Sequence, residues 1–170
     1  MKIVKMLLKP FSFVPALLMM YVIFSFSAQT GEVSGVLSYK ISYKIVETKN
    51  ELFNENKSPE ELSCAADGIH YYVRKAAHMT EYFLLAISVS FPLYVYGVRG
   101  IWLPLLAGMI CVGFAALDEY HQSFVAGRGP SKKDVGIDSI GVFAGIIMMQ
   151  FICFLGRITV FRPLAKKKKA

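Results

Sequence analysis

Four stretches of this chain are long and apolar enough to cross a bilayer, and no other feature constrains its folding as tightly. A helix needs roughly 20 mainly apolar residues to span hydrocarbon about 30 Å thick. Residues 11–28 carry no charge, 76–96 are apolar after a polar first turn, 101–120 are apolar until the last turn, and 135–156 hold one acid, Asp138. A backbone inside lipid must satisfy its own polar groups, so spans of this length are helices. The expected fold is an all-α membrane protein with four transmembrane helices, forming one domain over residues 1–165 with a basic tail at 166–170.

Composition agrees with that fold. The 170 residues are 55% hydrophobic and 18% charged, with a mean hydropathy of +0.47, which is more apolar than a typical soluble domain and excludes intrinsic disorder. The first stretch follows Lys2, Lys5 and Lys9 as a secretory signal would. Its apolar run exceeds the roughly 7–15 residues of a signal core, which favours an uncleaved anchor.

Charge sets the orientation. With the N-terminus inside, the inner side holds Lys2, Lys5, Lys9, Arg99, Arg157, Arg162 and Lys166 to Lys169, ten bases and no acid, while all twelve acids and nine bases lie outside. The positive-inside rule therefore gives an N-in/C-in topology, and the net charge of +7 speaks of topology rather than nucleic acid. Residues 29–75 become an extracellular loop with seven acids and six bases. Within it Ser58, Pro59, Glu60 and Glu61 read as a helix start: a serine cap, proline at the first position and acids at the positive end of the dipole. Leu62, Ala65, Ala66, Ile69 and Val73 then recur at helical spacing. The expected element is an amphipathic helix lying on the membrane surface or running into the second span.

Cys64, Cys111 and Cys153 form neither a disulfide framework nor a metal-ligand pair. No internal repeat, glycine-rich phosphate loop or HExxH signature is present, so neither cofactor nor metal is expected.

The polar residues that the spans retain are more informative. The connection Gly97, Val98, Arg99, Gly100 is short enough to make spans two and three an antiparallel hairpin. Counting from that turn, His78 on one helix and Asp118 and Glu119 on the other lie at the same height, roughly 30 Å away at about 1.5 Å per residue. Glu81 is one turn deeper. Arg74, His78 and Glu81 follow an i, i+4, i+7 stripe, and Asp118 shares a face with His121 and Gln122. On the fourth span Asp134, Asp138, Gly141 and Gly145 form another stripe, whose glycines are a small-xxx-small pattern that admits a close neighbour. Between spans three and four, Gly127 and Gly129 flank Arg128, and Ser131 precedes Asp134 at capping-box spacing, so the arginine sits beside an anion-friendly helix start.

Two readings stay open for these residues. Ionisable groups inside a span are costly and so point to function, with His78, Glu81, Asp118, Glu119 and His121 as candidate acid, base or orienting groups. The same groups also suit a polar network that only joins helices. Arg74 and Lys75 also suit interfacial anchors, and Arg128 suits a loop ion pair as well as an anion ligand.

The segment Arg74, Lys75, Ala76, Ala77, His78, Met79, Thr80, Glu81, Tyr82, followed by Asp118, Glu119, Tyr120, His121, Gln122, Ser123, Phe124, and then Gly127, Arg128, Ser131, Asp134 and Gly141, resembles the VanZ family. Phe24 to Gln29, with Ser34 and Ser38, resembles the same pattern, so the likeness runs from the first span through the fourth; residues 39–62 stand outside it. The resemblance implies a multi-pass protein of the cell membrane that affects susceptibility to teicoplanin and related glycopeptide antibiotics.

Three functional classes follow. The first is a binder of a cell-envelope or lipid-linked anionic ligand through Arg74, His78, Glu81, Asp118, Glu119, His121, Gln122, Arg128, Ser131, Asp134 and Asp138. Its partners would be membrane lipids and a lipid-linked cell-wall precursor or the glycopeptide itself. The second is a membrane-embedded hydrolase or transferase acting on such a headgroup. The third is a proton-coupled transporter, which four spans without a repeat disfavour.

Overall fold

The computed structural model describes residues 9–129 and 131–159, with side chains through 156. The expected basic tail at 166–170, with Lys2, Lys5 and Arg162, lies outside the described residues. A short 3-10 turn, Pro10–Phe13, leads into five helices: α1 (Val14–Ser27), α2 (Gly31–Phe53), α3 (Pro59–Val95), α4 (Trp102–Gln122) and α5 (Lys132–Thr159). Three helical stretches are long and apolar enough to cross a membrane: Pro10–Ser27, Trp102–Gln122 and Lys132–Gly156.

α3 is the axis of the molecule and packs against each of the other helices. Its 37 residues extend about 55 Å at 1.5 Å per residue, well beyond what a bilayer core covers. The start is set as its sequence foretells. Ser58 Oγ accepts from the Glu61 N–H at 3.3 Å, and Glu61 Oε2 accepts from the Ser58 N–H at 2.8 Å, a complete capping box. From there one helix runs without interruption into the apolar second stretch and ends at the Gly97–Gly100 turn, where both glycines adopt positive φ (95° and 62°) that a side chain would disfavour.

Core residues come from four helices: Ile23 of α1, Tyr82, Leu85, Ala86 and Val89 of α3, Ala107, Cys111 and Ala115 of α4, and Val142 and Ile146 of α5. The glycine stripe on α5 meets α3. A Cβ on Gly141 would collide with the Met79 carbonyl, and one on Gly145 would come within 2.9 Å of the Ala86 Cβ. The two backbones therefore touch, as a small-xxx-small seam permits. Large apolar side chains such as Leu17, Leu18, Phe143, Ile147 and Phe151 cover the outside of the bundle, the pattern of a surface that meets lipid.

Residues 29–75, read from sequence as a loop with one helix, are almost wholly helical. α2 begins on Thr30, whose hydroxyl accepts from the Val33 N–H at 3.4 Å, and ends on Asn54 in the left-handed conformation (φ 51°). It runs antiparallel along the N-terminal half of α3, joined to it by the Tyr39–Ser63 hydroxyl contact at 2.8 Å. Its buried face is Ser38, Ser42 and Val46. The two serine hydroxyls are satisfied by carbonyls one turn back, Ser34 O and Ser38 O, each at 2.8 Å. A face lined by small, self-satisfied polar side chains packs closely without an apolar periodicity.

Candidate functional site

α1 and α4 end, and α5 begins, at the same end of the bundle, beside the middle of α3. The expected polar residues gather there. Asp118, 3% exposed, accepts through Oδ2 from Ser27 Oγ at 2.6 Å and from Gln122 Nε2 at 2.9 Å; Gln122 Nε2 also reaches Ser27 Oγ at 3.2 Å. Arg128 completes this lattice. Its Nη1 donates to Gln122 Oε1 at 2.9 Å, its Nε to the Gln29 carbonyl at 2.9 Å and its Nη2 to the Phe26 carbonyl at 3.0 Å. The guanidinium thus joins carbonyls at the C-terminal end of α1, where the helix dipole is negative and a cation is favoured. The Gly31 N–H bonds the Ala126 carbonyl at 3.0 Å, with no room for a Cβ on Gly31 against Gly127. The Arg128 loop is thereby tied to the α1–α2 junction. Most of the donors of Arg128 are spent on protein, so between an anion ligand and a loop anchor its bonds are those of an anchor.

A second lattice joins α3, α4 and α5. Lys75 Nζ pairs with Asp134 Oδ2 at 2.5 Å, and Glu119 Oε1 accepts from the Ser131 backbone N–H at 2.6 Å. The capping-box spacing at Ser131 therefore resolves differently: Glu119, twelve residues earlier, takes the Ser131 amide, while Asp134 turns to Lys75. Asp138 lies buried one turn below. Arg74, Lys75, His78, Glu119, Gln122, Asp134 and Asp138 line a cleft of about 10 Å³, room for roughly one water.

The larger cavity, about 200 Å³, opens on the other side of the same face of α3. Arg74, His78, Glu81 and Arg128 line it together with Gln29, Ser34 and Ser38, while Phe26, Leu37, Ile41, Val73 and Ala77 supply apolar walls. α2 thus contributes one side of the site, which the sequence does not reveal. His78 Nδ1 stands 3.5 Å from Glu81 Oε2, outside hydrogen-bond geometry, so Glu81 Oε2 is buried without a hydrogen-bond partner. The half-buried Arg74 makes no hydrogen bond or ion pair among the described residues. It is close enough to Arg128 that, after burial itself, its charge is the largest influence lowering the Arg128 pKa. Two guanidiniums therefore crowd one cavity with only one of them satisfied.

His121 takes a different place. Its ring stacks on Phe24 with centroids 4.3 Å apart, its Nδ1 is buried without a hydrogen-bond partner, and it lines neither cavity. Among the described residues no group of three or more His, Cys, Asp or Glu side chains is arranged to hold a metal ion. Ser27 and Gln29, present in the segment that resembles the VanZ pattern, are the members of this site that counting charges overlooks. Their signal is that a small hydroxyl and a helix end stand at the height of Asp118.

A family model described as VanZ/LLP1 matches residues 12–154, while no curated protein and no solved structure matches the chain. The match begins before α1, ends within α5 and includes every residue that lines either polar cavity. The chain belongs to the VanZ/LLP1 family.

Proposed function

We propose that this chain is a four-span protein of the cell membrane, N-in/C-in, whose polar end faces outward and holds the anionic headgroup of a lipid-linked cell-envelope component, and that by doing so it alters susceptibility to teicoplanin-type glycopeptides. The observation that carries this reading is Arg74: a guanidinium without a partner, lining a cavity that is charged at one end and apolar along its walls. A half-buried cation that no protein group satisfies is free to take an anion from outside, and a planar fork matches phosphate or carboxylate. About 200 Å³ is smaller than the roughly 300–1,000 Å³ of a site that encloses a drug-sized ligand. It suits a headgroup whose chain stays in lipid. The inner half of α3, from Ala76 on, supplies the fourth span, and the distribution of bases supports the orientation.

The same cavity supports a second reading, hydrolysis or transfer of the headgroup, because His78 and Glu81 stand side by side in its wall as a base and its orienting carboxylate would. One experiment addresses both. Arg74→Gln is expected to accumulate in the membrane like the parent chain yet lose most of the resistance conferred on a susceptible host. Purified protein incubated with a lipid-linked cell-wall precursor is expected to retain it unchanged. A chemically altered precursor would favour the enzyme, and full resistance with Arg74→Gln would sink the headgroup site.

A further inference from the structure

The large cavity presents two unlike charges that do not meet. Arg74 and Glu81 lie on one face of α3, seven residues or about 10 Å of helix axis apart, and both line the cavity. Arg74 makes no hydrogen bond or ion pair among the described residues, and Glu81 Oε2, which stands 3.5 Å from His78 Nδ1, is buried without a hydrogen-bond partner. Behind the cavity wall Asp118 lies within electrostatic reach of Glu81. A purely anionic ligand would satisfy Arg74 and bring negative charge toward the Glu81 carboxylate. A purely cationic one would do the reverse.

From this juxtaposition we infer that the cavity selects a zwitterionic lipid headgroup, one that carries a phosphate for Arg74 and a primary ammonium for Glu81 on the same molecule. The inference rests on reading the cavity as a headgroup site and narrows the anion to one with an ammonium attached. A primary ammonium has three N–H donors, and at that end the cavity offers the carboxylate oxygens of Glu81, of which Oε2 is buried without a hydrogen-bond partner. A quaternary ammonium has no N–H to give them. The long Arg74 side chain reaches the phosphate, and Leu37, Ile41 and Val73 offer the first part of an acyl or prenyl chain an apolar wall.

Native mass spectrometry of the full chain in detergent, titrated with lipids of identical acyl chains, tests this. Phosphatidylethanolamine is expected to be retained roughly tenfold over phosphatidylglycerol, phosphatidylcholine and N-acetyl-phosphatidylethanolamine, the ratio that one charge-assisted hydrogen bond worth about 1.4 kcal/mol gives. Glu81→Gln should reduce the ethanolamine lipid to the glycerol level and leave the glycerol lipid unchanged, while Arg74→Gln should weaken both. A lipid-linked cell-wall precursor with its peptide amine free, set beside the same precursor acylated at that amine, shows which lipid supplies this chemistry. Equal retention of the ethanolamine and glycerol lipids, still dependent on Arg74, would overturn the zwitterion and keep the anion site. Retention of no phosphate lipid would overturn both. If Glu81→Gln fails to fold, the free-amine and N-acetyl lipids still decide the matter on the unaltered protein.

Discussion

The two ends of the bundle handle their arginines in opposite ways. At the turn between α3 and α4, Arg99 is satisfied from its own neighbourhood: its guanidinium lies 3.7 Å from the Tyr94 ring centroid and donates to the Tyr94 and Val98 carbonyls. The nearby groove between α3 and α5 is larger, about 430 Å³, and lined almost entirely by apolar side chains such as Ile87, Phe91, Met149 and Ile152. At the opposite end Arg128 is held by residues 6, 99 and 102 positions away, and the cavity beside it is smaller and charged. Local satisfaction is what an interfacial anchor needs. Satisfaction across the whole chain fixes side chains relative to one another, which a binding site needs.

The largest break in this contrast comes from the seam that brings α5 to the polar end. Gly141→Leu places side-chain atoms where the Met79 carbonyl stands, so the helices must separate. The cost should exceed the roughly 1–3 kcal/mol of ordinary overpacking because the obstacle is backbone. Gly136, with nothing within 4 Å of its Cβ position, should accept leucine with little change. Membrane abundance and thermal stability in detergent measure both. A Gly141→Leu protein as stable as the parent would mean that the two backbones do not touch there.

Next in size is the exchange of each arginine for lysine. Arg128→Lys cannot reach the Phe26 and Gln29 carbonyls and Gln122 Oε1 at once, and each charge-assisted bond lost at this partly exposed site costs about 1 kcal/mol. Arg99→Lys keeps a charge over an aromatic ring at an exposed turn and should stay within about 0.5 kcal/mol of the parent. The difference between the two midpoints of thermal unfolding is the quantity to measure. Equal midpoints would erase the distinction between the two ends.

How much of this was legible in the sequence follows the same divide between local and long-range satisfaction. The capping box at Ser58, the turn glycines and the α5 glycine stripe are written within a few residues of where they act, so spacing alone locates them. Counting heights from the Gly97–Gly100 turn also brings His78, Asp118 and Glu119 to one end, because helix geometry converts sequence distance into length. What the sequence hides is of two kinds. The buried face of α2 is Ser38 and Ser42, small hydroxyls that bond back to their own helix, so no apolar stripe announces a packed helix. Two of the three acceptors of Arg128 are main-chain carbonyls, which every residue carries and no motif marks. Ser27 meets Asp118 across 91 residues, a pairing that only the closed bundle creates.

The smallest expected effect on stability is at Arg74, and it separates the two guanidiniums of the polar end most sharply. Arg128 donates to three protein groups, whereas Arg74 makes no hydrogen bond or ion pair among the described residues, so removing its charge breaks nothing in the unliganded molecule. It also relieves a like-charge neighbour, since Arg74 acts together with burial to lower the Arg128 pKa. The sign is therefore fixed: the folded state binds the Arg128 proton less tightly than the unfolded chain does. Loss of Arg74 raises the folded pKa toward its ordinary value, which adds stability at neutral pH rather than removing it. Partial exposure of the site screens most of this gain. Arg74→Gln should accordingly melt at or slightly above the parent temperature without added lipid, and the two should differ only when a phosphate lipid is supplied, where the parent alone gains stability by mass action. A lower melting point for Arg74→Gln in lipid-free detergent would show that Arg74, like Arg128, holds the bundle together, and the contrast between a satisfied and a waiting guanidinium would be lost.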